Sequence, residues 1–407
     1  GGYSNGDHLL PFRTEKLSPL APMVLLLWKS RSPPFFMAPA IYCGGFFLSL
    51  CLMLDSKNIY NVIGVMSGTS LDGIDLCYSE FSLNESDWSF SIKICETIVY
   101  DEYWAEKLSQ ANNYLDSILF DLDKEYTTFL AGVINDFIKK YKITNLDFIS
   151  SHGHTVYHQP EKNYTFQLGN RIELRELIKK PIVCDFRVQD VALGGQGAPL
   201  VPIGDLLLFN DFSHCINLGG FSNISIKNDS GIVAYDICPV NVVLNYFSKK
   251  IGFGFDEDGK LAESGSINRQ LLKELNQIEY YSEAPPKSLG IEWVDENIFK
   301  IIQKYKISNA DILSTYTEHI CHQIALNIDS DQPTILFTGG GAKNRFLISR
   351  LSKKMKLKFD LPEIKIIDFK EALIFAFLGI LKIRNEINCL RSVTGAEIDH
   401  SSGVYFE

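Results

Sequence analysis

Three short glycine-rich segments follow apolar runs and are the parts of this chain best suited to bind phosphate. They are SGTSLDG at 67–73, LGGFSN at 218–223 and TGGGAKN at 338–344. Small residues let backbone N–H groups approach phosphate oxygens, and serine and threonine hydroxyls add donors. One such loop alone is more often an ordinary turn, and the chain has no Walker GxxxxGK(S/T) or Rossmann GxGxxG pattern. The three loops together favour a phosphate site.

Carboxylates and histidines supply further candidates for chemistry. Asp72 and Asp75 could hold Mg²⁺ through water, or could stabilise their turn through backbone hydrogen bonds. His152, His154 and His158 have a spacing that suggests metal, but no carboxylate or cysteine pattern accompanies them. We therefore predict no zinc site and no protein metal ligands, and expect these histidines to form hydrogen bonds instead.

The elements that must position these residues alternate between strands and helices. Apolar runs flank the first loop over 61–81 and predict a β-hairpin, and HCINLGGFSNISI at 214–226 predicts a second one. Helical spacing of apolar residues predicts one or two long helices over 112–140 and a short helix over 172–178. The sequence thus predicts an α/β fold in two halves that each begin with a hairpin around a glycine loop. No residue-level repeat accompanies this pattern.

Composition argues against several classes of function. The 407 residues suffice for two domains, and the formal net charge of −10 lacks the clustered basic residues of a nucleic-acid-binding protein. The nine cysteines are scattered without a CxxC pair, as in reduced cytosolic proteins. A glycosylation sequon at Asn223 lies inside the second glycine loop, where a glycan would block the site. These features predict a cytoplasmic protein without nucleic-acid or membrane partners.

The first 52 residues differ from the rest of the chain. They are rich in proline and aromatic residues and run into an uncharged stretch at 32–54. A membrane anchor or signal peptide remains an alternative, but it needs a continuous apolar run and three prolines interrupt this one. We expect residues 1–54 to lie outside the fold as an added or mispredicted leader, and a chain that begins at Met53 to be folded and active.

The residues around the glycine loops resemble a known family, the anhydro-N-acetylmuramic acid kinases. The similar segments are GVMSGTSLDGID, SSHGHTVYH, DFRVQDVALGGQGAPLVP, NLGGFSNIS, FTGGGAKN and VTGA, and the match runs from about residue 63 to the end. The resemblance implies a two-domain actin-like ATPase fold, a duplicated RNase H-like unit with an interdomain cleft. It places the domains at 55–205 and 206–407, with C-terminal residues packing back on the first. It also implies Mg²⁺, and the family often forms homodimers.

The implied reaction uses ATP and water. It opens the 1,6-anhydro ring of anhydro-N-acetylmuramic acid and phosphorylates O6, giving N-acetylmuramic acid 6-phosphate in cell-wall recycling. Asp236, in YDICPVN, matches the family's general base, although Cys238 and Val240 replace two glycines of that motif. The alternative is that Asp236 only caps the following helix. Glu371 matches a family glutamate that could act as an acid, or it interacts with a helix macrodipole.

The resemblance also assigns residues to the two ligands. For Asp185 and Arg187, an ion pair with Asp190 that fixes the following loop is the alternative to sugar contact. The predicted sugar contacts are His152, His154, Asp185, Arg187 and Asn241. The predicted ATP contacts are Gly68, Thr69, Ser70, Leu71, Asp72, Gly73, Ile74, Asp75, Gly219, Gly220, Gly339, Gly340, Gly341 and Asn344.

Two other functions stay open at this point. A kinase of the same superfamily for another sugar is one, because Ile237, Cys238, Val240, Leu289 and Ile291 depart from the family pattern. The other is a nonenzymatic ATP-gated clamp, as in the actin and chaperone branches. The carboxylate at position 236 argues against the clamp, as does the lack of a C-terminal peptide-binding domain.

Overall fold

A computed structural model describes residues 57–68, 71–228, 231–328, 333–359 and 361–407. The predicted leader, residues 1–54, lies outside this part of the chain. The described residues form two β-sheets with helices packed on them. The strands are β1 (Ile59–Ser67), β2 (Ile74–Asn84), β3 (Asp87–Ile98), β4 (Phe148–Gln159), β5 (Tyr164–Leu168), β6 (Ile182–Cys184), β7 (His214–Leu218), β8 (Phe221–Asn228), β9 (Gly231–Pro239), β10 (Ile335–Thr338) and β11 (Val404–Phe406).

The helices lie between and around these strands. The π-helical stretch Val294–Phe299 separates α9 from α10, and the third glycine loop contains the 3₁₀ turn Gly340–Lys343. The α-helices are α1 (Glu102–Gln110), α2 (Asp116–Lys140), α3 (Ile172–Ile178), α4 (Val188–Ala192), α5 (Pro202–Leu208), α6 (Asn241–Lys249), α7 (Lys260–Ser264), α8 (Arg269–Asn276), α9 (Ile291–Trp293), α10 (Lys300–Ile302), α11 (Asn309–Leu326), α12 (Arg345–Met355), α13 (Ile364–Ile383) and α14 (Arg391–Thr394).

The first sheet has seven strands in the order β11-β6-β4-β1-β2-β3, with β5 paired to β4. β1 and β2 form the hairpin predicted around the first glycine loop, with Ser67 opposite Ile74. β4 runs parallel to β1, and β6 runs parallel to β4. Because parallel neighbours end at the same edge, the residues that follow β1 and β6 share this edge with the outer half of β4.

The second sheet has four strands in the order β10-β7-β8-β9. β7 and β8 form the second predicted hairpin, and β10 runs parallel to β7 with Thr338 opposite Asn217. The second and third glycine loops therefore leave the same edge of this sheet. Each sheet has an antiparallel meander of three strands. Two parallel strands, β4 and β6, extend it in the first sheet, and one parallel strand, β10, extends it in the second. The predicted α/β class is confirmed.

Helix α13 joins the two sheets. It packs against β1, β2 and β4 of the first sheet and against β10 of the second. Residues 372–381 are all buried, as expected for a helix that is apolar on every side. A Cβ on Gly64 would lie 1.8 Å from the Ala372 carbonyl oxygen, and a Cβ on Gly379 would lie 2.6 Å from Ser150 Oγ. Glycine at both positions is what lets the helix approach the sheet so closely.

A buried ion pair lies beside this helix. Lys370 Nζ of α13 is 2.5 Å from Asp205 Oδ1 of α5, and their side chains are only 6% and 3% exposed. Around the two helices, one apolar cluster contains residues of both sheets, including Val62 of β1 and Leu336 of β10. Loss of either charged partner would leave the other buried and unpaired, so the pair ties α5 and α13 to each other within this cluster.

The C-terminal residues return to the first sheet. β11 pairs antiparallel with β6, and Val404 lies opposite Cys184. The division into domains at 205/206 remains a prediction. None of the described helices combines the length and hydropathy needed to cross a bilayer.

Candidate functional site

The first glycine loop is a tight turn between β1 and β2. Leu71 has φ of +60°, and its N–H bonds the Gly68 carbonyl at 3.4 Å. A Cβ on Gly73 would lie 2.4 Å from a carbonyl oxygen of β3, so this close approach requires glycine. Thr69 and Ser70, two predicted ATP contacts, lie outside the described residues. The turn leaves Ile74 and Asp75 at the start of β2, at the edge shared with β4 and β6.

The second and third glycine loops touch each other at the edge of the second sheet. Gly339 has φ of +78°, and a Cβ there would lie 2.3 Å from Asn217 Oδ1, one residue before the end of β7. A Cβ on Gly341 would meet the Leu218 side chain at 2.8 Å. The third loop ends at Asn344, whose Oδ1 accepts the Leu347 N–H at 3.0 Å and caps α12. Two loops of small residues thus form one surface.

Asn241 lies with these loops and not with the other predicted sugar contacts. It begins α6, and its Nδ2 donates to the Leu218 carbonyl at 3.1 Å. Its backbone N–H bonds the Gly219 carbonyl, while the Gly220 carbonyl accepts from Val240. Hydrogen bonds from the start of α6 therefore hold the second glycine loop in place.

A cavity of about 760 Å³ adjoins the third loop. Both apolar and charged side chains line it, a combination suited to a nucleoside. Its lining includes Ala342, Lys343, Arg345, Ile348, Phe359 and Ile367.

Three charged side chains, Lys343, Asp368 and Asp75, lie in sequence from the third loop to the first sheet. Lys343 Nζ lies 2.5 Å from Asp368 Oδ1 on α13. Burial raises the pKa of Asp75, a 2.6 Å hydrogen bond from Thr97 lowers it, and the nearby Asp368 and Asp72 carboxylates raise it. The sequence interpretation missed Lys343 and Asp368. A lysine inside TGGGAKN was a usable signal, whereas Asp368 is placed only by the packing of α13.

Glu371 lies well inside α13 and faces the first-sheet edge. Burial raises the pKa of its carboxylate, and the charges of Lys370 and Arg187 lower it while Asp75 raises it. The residue is nevertheless exposed to solvent, so water reaches a carboxylate that has many protein atoms around it. The macrodipole alternative is wrong, because that effect fades beyond the first turn of a helix.

Arg187 is fixed by two acceptors just after β6. Its Nε donates to His152 Nε2 at 2.9 Å, and its Nη1 donates to the Gly197 carbonyl at 2.8 Å. His152 Nδ1–H donates to the Gly153 carbonyl, so its Nε2 is free to accept. Burial and the charge of Arg187 hold the pKa of His152 well below its usual range. His152 is therefore neutral and orients Arg187.

His154 and Asp185 differ in whether their side chains can bind a ligand. His154 is 2% exposed, and its Nδ1 shares a 2.9 Å hydrogen bond with Ser67 Oγ beneath the first loop. Asp185 has φ of +61°, and burial raises its pKa to about 6. Among the described residues, no donor is bonded to the Asp185 carboxylate. His154 thus supports the loop, and Asp185 is free for a ligand.

Asp236 lies near the end of β9 and is half-buried. Its Oδ2 accepts the Leu289 N–H at 2.9 Å, and in the described part of the chain Oδ1 accepts no hydrogen bond. Burial raises the pKa of Asp236, while the Leu289 N–H lowers it. The helix-cap alternative is wrong, because the N-cap of α6 is Val240 and no side chain caps that helix. One oxygen of this carboxylate is available to accept a proton.

The two residues that replace motif glycines do not face this site. Cys238 and Val240 are fully buried in the apolar cluster of the second half. Val240 has φ of −125°, outside the left-handed region that favours glycine. Tyr280, missed by the sequence interpretation, donates to the Asp236 carbonyl at 2.7 Å.

The two sheets, with glycine loops at their edges, have the mixed α/β architecture expected of the actin-like class. Among solved structures, component A of (R)-2-hydroxyglutaryl-CoA dehydratase from Acidaminococcus fermentans is similar at 10% identity, with a TM-score of 0.42, over 80% of this chain and 99% of that one.

Sequence comparisons specify the class further. The family model for anhydro-N-acetylmuramic acid kinase matches residues 60–407. A protein of that name from Sulfurimonas denitrificans is 33% identical over 374 residues, 85% of this chain and 99% of its own length. Another from Francisella tularensis subsp. novicida is 34% identical over 370 residues, 82% of this chain and 95% of its own length. The chain belongs to the anhydro-N-acetylmuramic acid kinase family.

Proposed function

We propose that this chain uses ATP and water to open the 1,6-anhydro ring of anhydro-N-acetylmuramic acid and to phosphorylate its O6. The observation that carries the proposal is the half-buried Asp236 carboxylate, which has a raised pKa and one oxygen without a donor. It lies on β9. In the sheet, β9 is two strands away from β7, the strand that precedes the second glycine loop. A proton acceptor in the half that carries two phosphate-suited loops fits a coupled hydrolysis and phosphoryl transfer.

Water is the nucleophile in the first step of the proposed reaction. Asp236 accepts a proton as water oxygen bonds to the anomeric carbon, and the bond from that carbon to O6 breaks. O6 then attacks the γ-phosphorus, ADP leaves, and Asp236 returns its proton to solvent. Glu371 is the proposed acid for the ring, since its raised pKa favours the protonated form. It would give its proton to O6 as the bond to the anomeric carbon breaks, and would take that proton back as O6 bonds to phosphorus. The product is N-acetylmuramic acid 6-phosphate.

The sugar would lie against the first-sheet edge. Arg187 has its Nε and Nη1 committed to His152 and Gly197, which leaves Nη2 to pair with the carboxylate of the muramic acid. Asp185, with no bonded donor in the described residues, would accept hydrogen bonds from sugar hydroxyls. Both residues would then position the substrate.

The ATP phosphates would lie on the glycine loops, and the adenosine in the cavity beside the third loop. The residues present fit Mg²⁺, because Asp72, Asp75 and Asp368 supply the oxygen donors this ion prefers and their mutual repulsion would be relieved by a cation. Mg²⁺ would be held there through water and would offset phosphate charge.

The proposed setting is peptidoglycan recycling in the cytoplasm. A homodimer is proposed from the family resemblance alone.

The test is a turnover assay in ¹⁸O-labelled water. We expect ATP consumption only with the anhydro sugar, a 6-phosphate product, and one ¹⁸O at the anomeric hydroxyl with none in the phosphate. ATP hydrolysis that ignores the sugar would support a clamp instead. Turnover with a different sugar, and none with the anhydro sugar, would support another sugar kinase.

A further inference from the structure

Three metal-binding side chains meet inside the protein, apart from the proposed reaction centre. Asp190 of α4 lies against Cys389 and His400 from the C-terminal segment, and all three are buried. Asp190 Oδ1 is 3.0 Å from Cys389 Sγ and 3.6 Å from His400 Nε2. The ligand atoms all lie within 4.8 Å of one another, and this is the one such group in the described part of the chain.

The imidazole of His400 is oriented as a ligand. Its Nδ1 donates to the Ile398 carbonyl at 3.1 Å, which leaves the Nε2 lone pair directed inward. Metal-bound histidines typically donate their other ring N–H to such an acceptor. The His400 side chain is 4% exposed, and its Nε2 has no hydrogen-bond partner among the described residues. A buried nitrogen without a hydrogen-bond partner beside a carboxylate oxygen is a position where a bound cation would satisfy both atoms.

We propose that Asp190, Cys389 and His400 bind Zn²⁺. Sulfur, nitrogen and oxygen donors in one closed group suit this ion. Binding would release the thiol proton of Cys389, with no change in oxidation state. Zn²⁺ with one carboxylate, one thiolate and one neutral imidazole is uncharged overall, which favours burial. A water would complete four ligands. The Thr394 hydroxyl, which donates to Asp190 Oδ1 at 2.7 Å, would hold that carboxylate in place.

The site would fix a loop that supports Arg187. Asp190 Oδ2 accepts the Gly197 N–H at 2.6 Å, and the Gly197 carbonyl in turn holds Arg187. The Gln196 N–H bonds the Thr394 carbonyl at 2.8 Å. A metal would therefore clip the C-terminal segment to the loop at 193–199. The sequence predicted no zinc site because residues 190, 389 and 400 have no recognisable spacing, so this inference departs from that prediction.

The test uses the full chain, purified under reducing conditions, equilibrated with Zn²⁺ and then gel-filtered. We expect about one bound zinc per chain and, with Co²⁺ as the probe, a thiolate-to-metal charge-transfer band in the near-ultraviolet. Cys389→Ala and His400→Asn should each weaken binding more than about 100-fold, beyond what loss of a supporting hydrogen bond costs. Cys215→Ala removes another buried thiol and should keep both signals.

A wild-type chain that retains no zinc and shows no charge-transfer band would overturn the proposal, whatever the variants do. So would a band that survives in folded Cys389→Ala. The group would then be a hydrogen-bonded hub, with a proton between His400 and Asp190 in place of a metal.

Discussion

Two carboxylates of this chain, Asp190 and Asp236, are held in opposite ways. Asp190 is fully buried and accepts hydrogen bonds from the Gly197 N–H, the Thr394 hydroxyl and the Cys389 thiol. Asp236 is half-buried and accepts one, from a backbone N–H. A carboxylate whose oxygens are taken up by donors of the protein, or by the Zn²⁺ proposed for Asp190, can hold loops together but has no oxygen left for a substrate. Unused hydrogen-bonding capacity therefore distinguishes Asp236, the proposed reactive carboxylate, from Asp190, the structural one.

The largest expected effect is on the reactive side of this comparison. Asp236→Asn keeps the shape and the Leu289 hydrogen bond but cannot take up a proton. Turnover should fall by about 10²–10⁴, the usual contribution of a general base, with ATP binding and melting temperature unchanged. Steady-state kinetics and nucleotide titration measure the two separately. If stability fell and the rate per folded molecule were kept, Asp236 would belong with Asp190 as a structural group.

On the structural side, Lys370→Met should destabilise the fold by about 3–5 kcal/mol, because it leaves Asp205 charged and unpaired in the core. Denaturant unfolding measures this loss. The double variant with Asp205→Leu should recover much of it, since both charges are then gone. Lys382→Met, a half-buried lysine on the same helix, is the matched control and should cost less. Equal losses at both lysines would contradict a special role for the ion pair.

Glu371→Gln tests a carboxylate that lies between the two cases of Asp190 and Asp236. The pKa of Glu371 is raised, yet its side chain is exposed to water. The acid form is the active one in our proposal, so wild-type activity falls as pH rises through the folded pKa, and this alkaline limb should vanish in the variant. A folded pKa above the unfolded value means that the charged form costs stability at neutral pH. The melting temperature should thus stay level or rise. A lowered melting temperature with an intact pH–rate profile would remove Glu371 from the site.

The smallest effect concerns His154, which we place with the structural groups. Burial lowers its pKa to about 4, so the unfolded chain binds a proton near pH 6.5 that the folded chain does not. The free energy of unfolding should therefore fall as pH falls from about 6.5 to 4, by at most about 1.4 kcal/mol per pH unit. His154→Gln should make this slope shallower in chemical unfolding measured across that range. An unchanged slope would show that other groups control acid sensitivity.

Local patterns in the sequence predicted elements better than they predicted contacts. Apolar spacing gave α3 at residues 172–178 as observed, and turn chemistry gave both hairpins. The pairing of Lys343 with Asp368 depends on how α13 packs, and so does the place of Glu371 within its helix, which the sequence left close to an N-terminus. Nothing local specifies such packing. Asn241 was assigned to the sugar by motif, whereas its neighbours are the second and third glycine loops.

Contacts on several sides of helix α13 fix its rotation about its own axis. Lys370 meets Asp205, Glu371 reaches the first-sheet edge, and Gly379 lets Ser150 approach. Each residue turns the helix by about 100°, so a single insertion near its start would swing all later side chains to new directions. The ion pair, the proposed acid and the glycine contact would be lost together. The spacing of Lys370, Glu371 and Gly379 along α13 therefore constrains the proposed site as strictly as the identity of these side chains does.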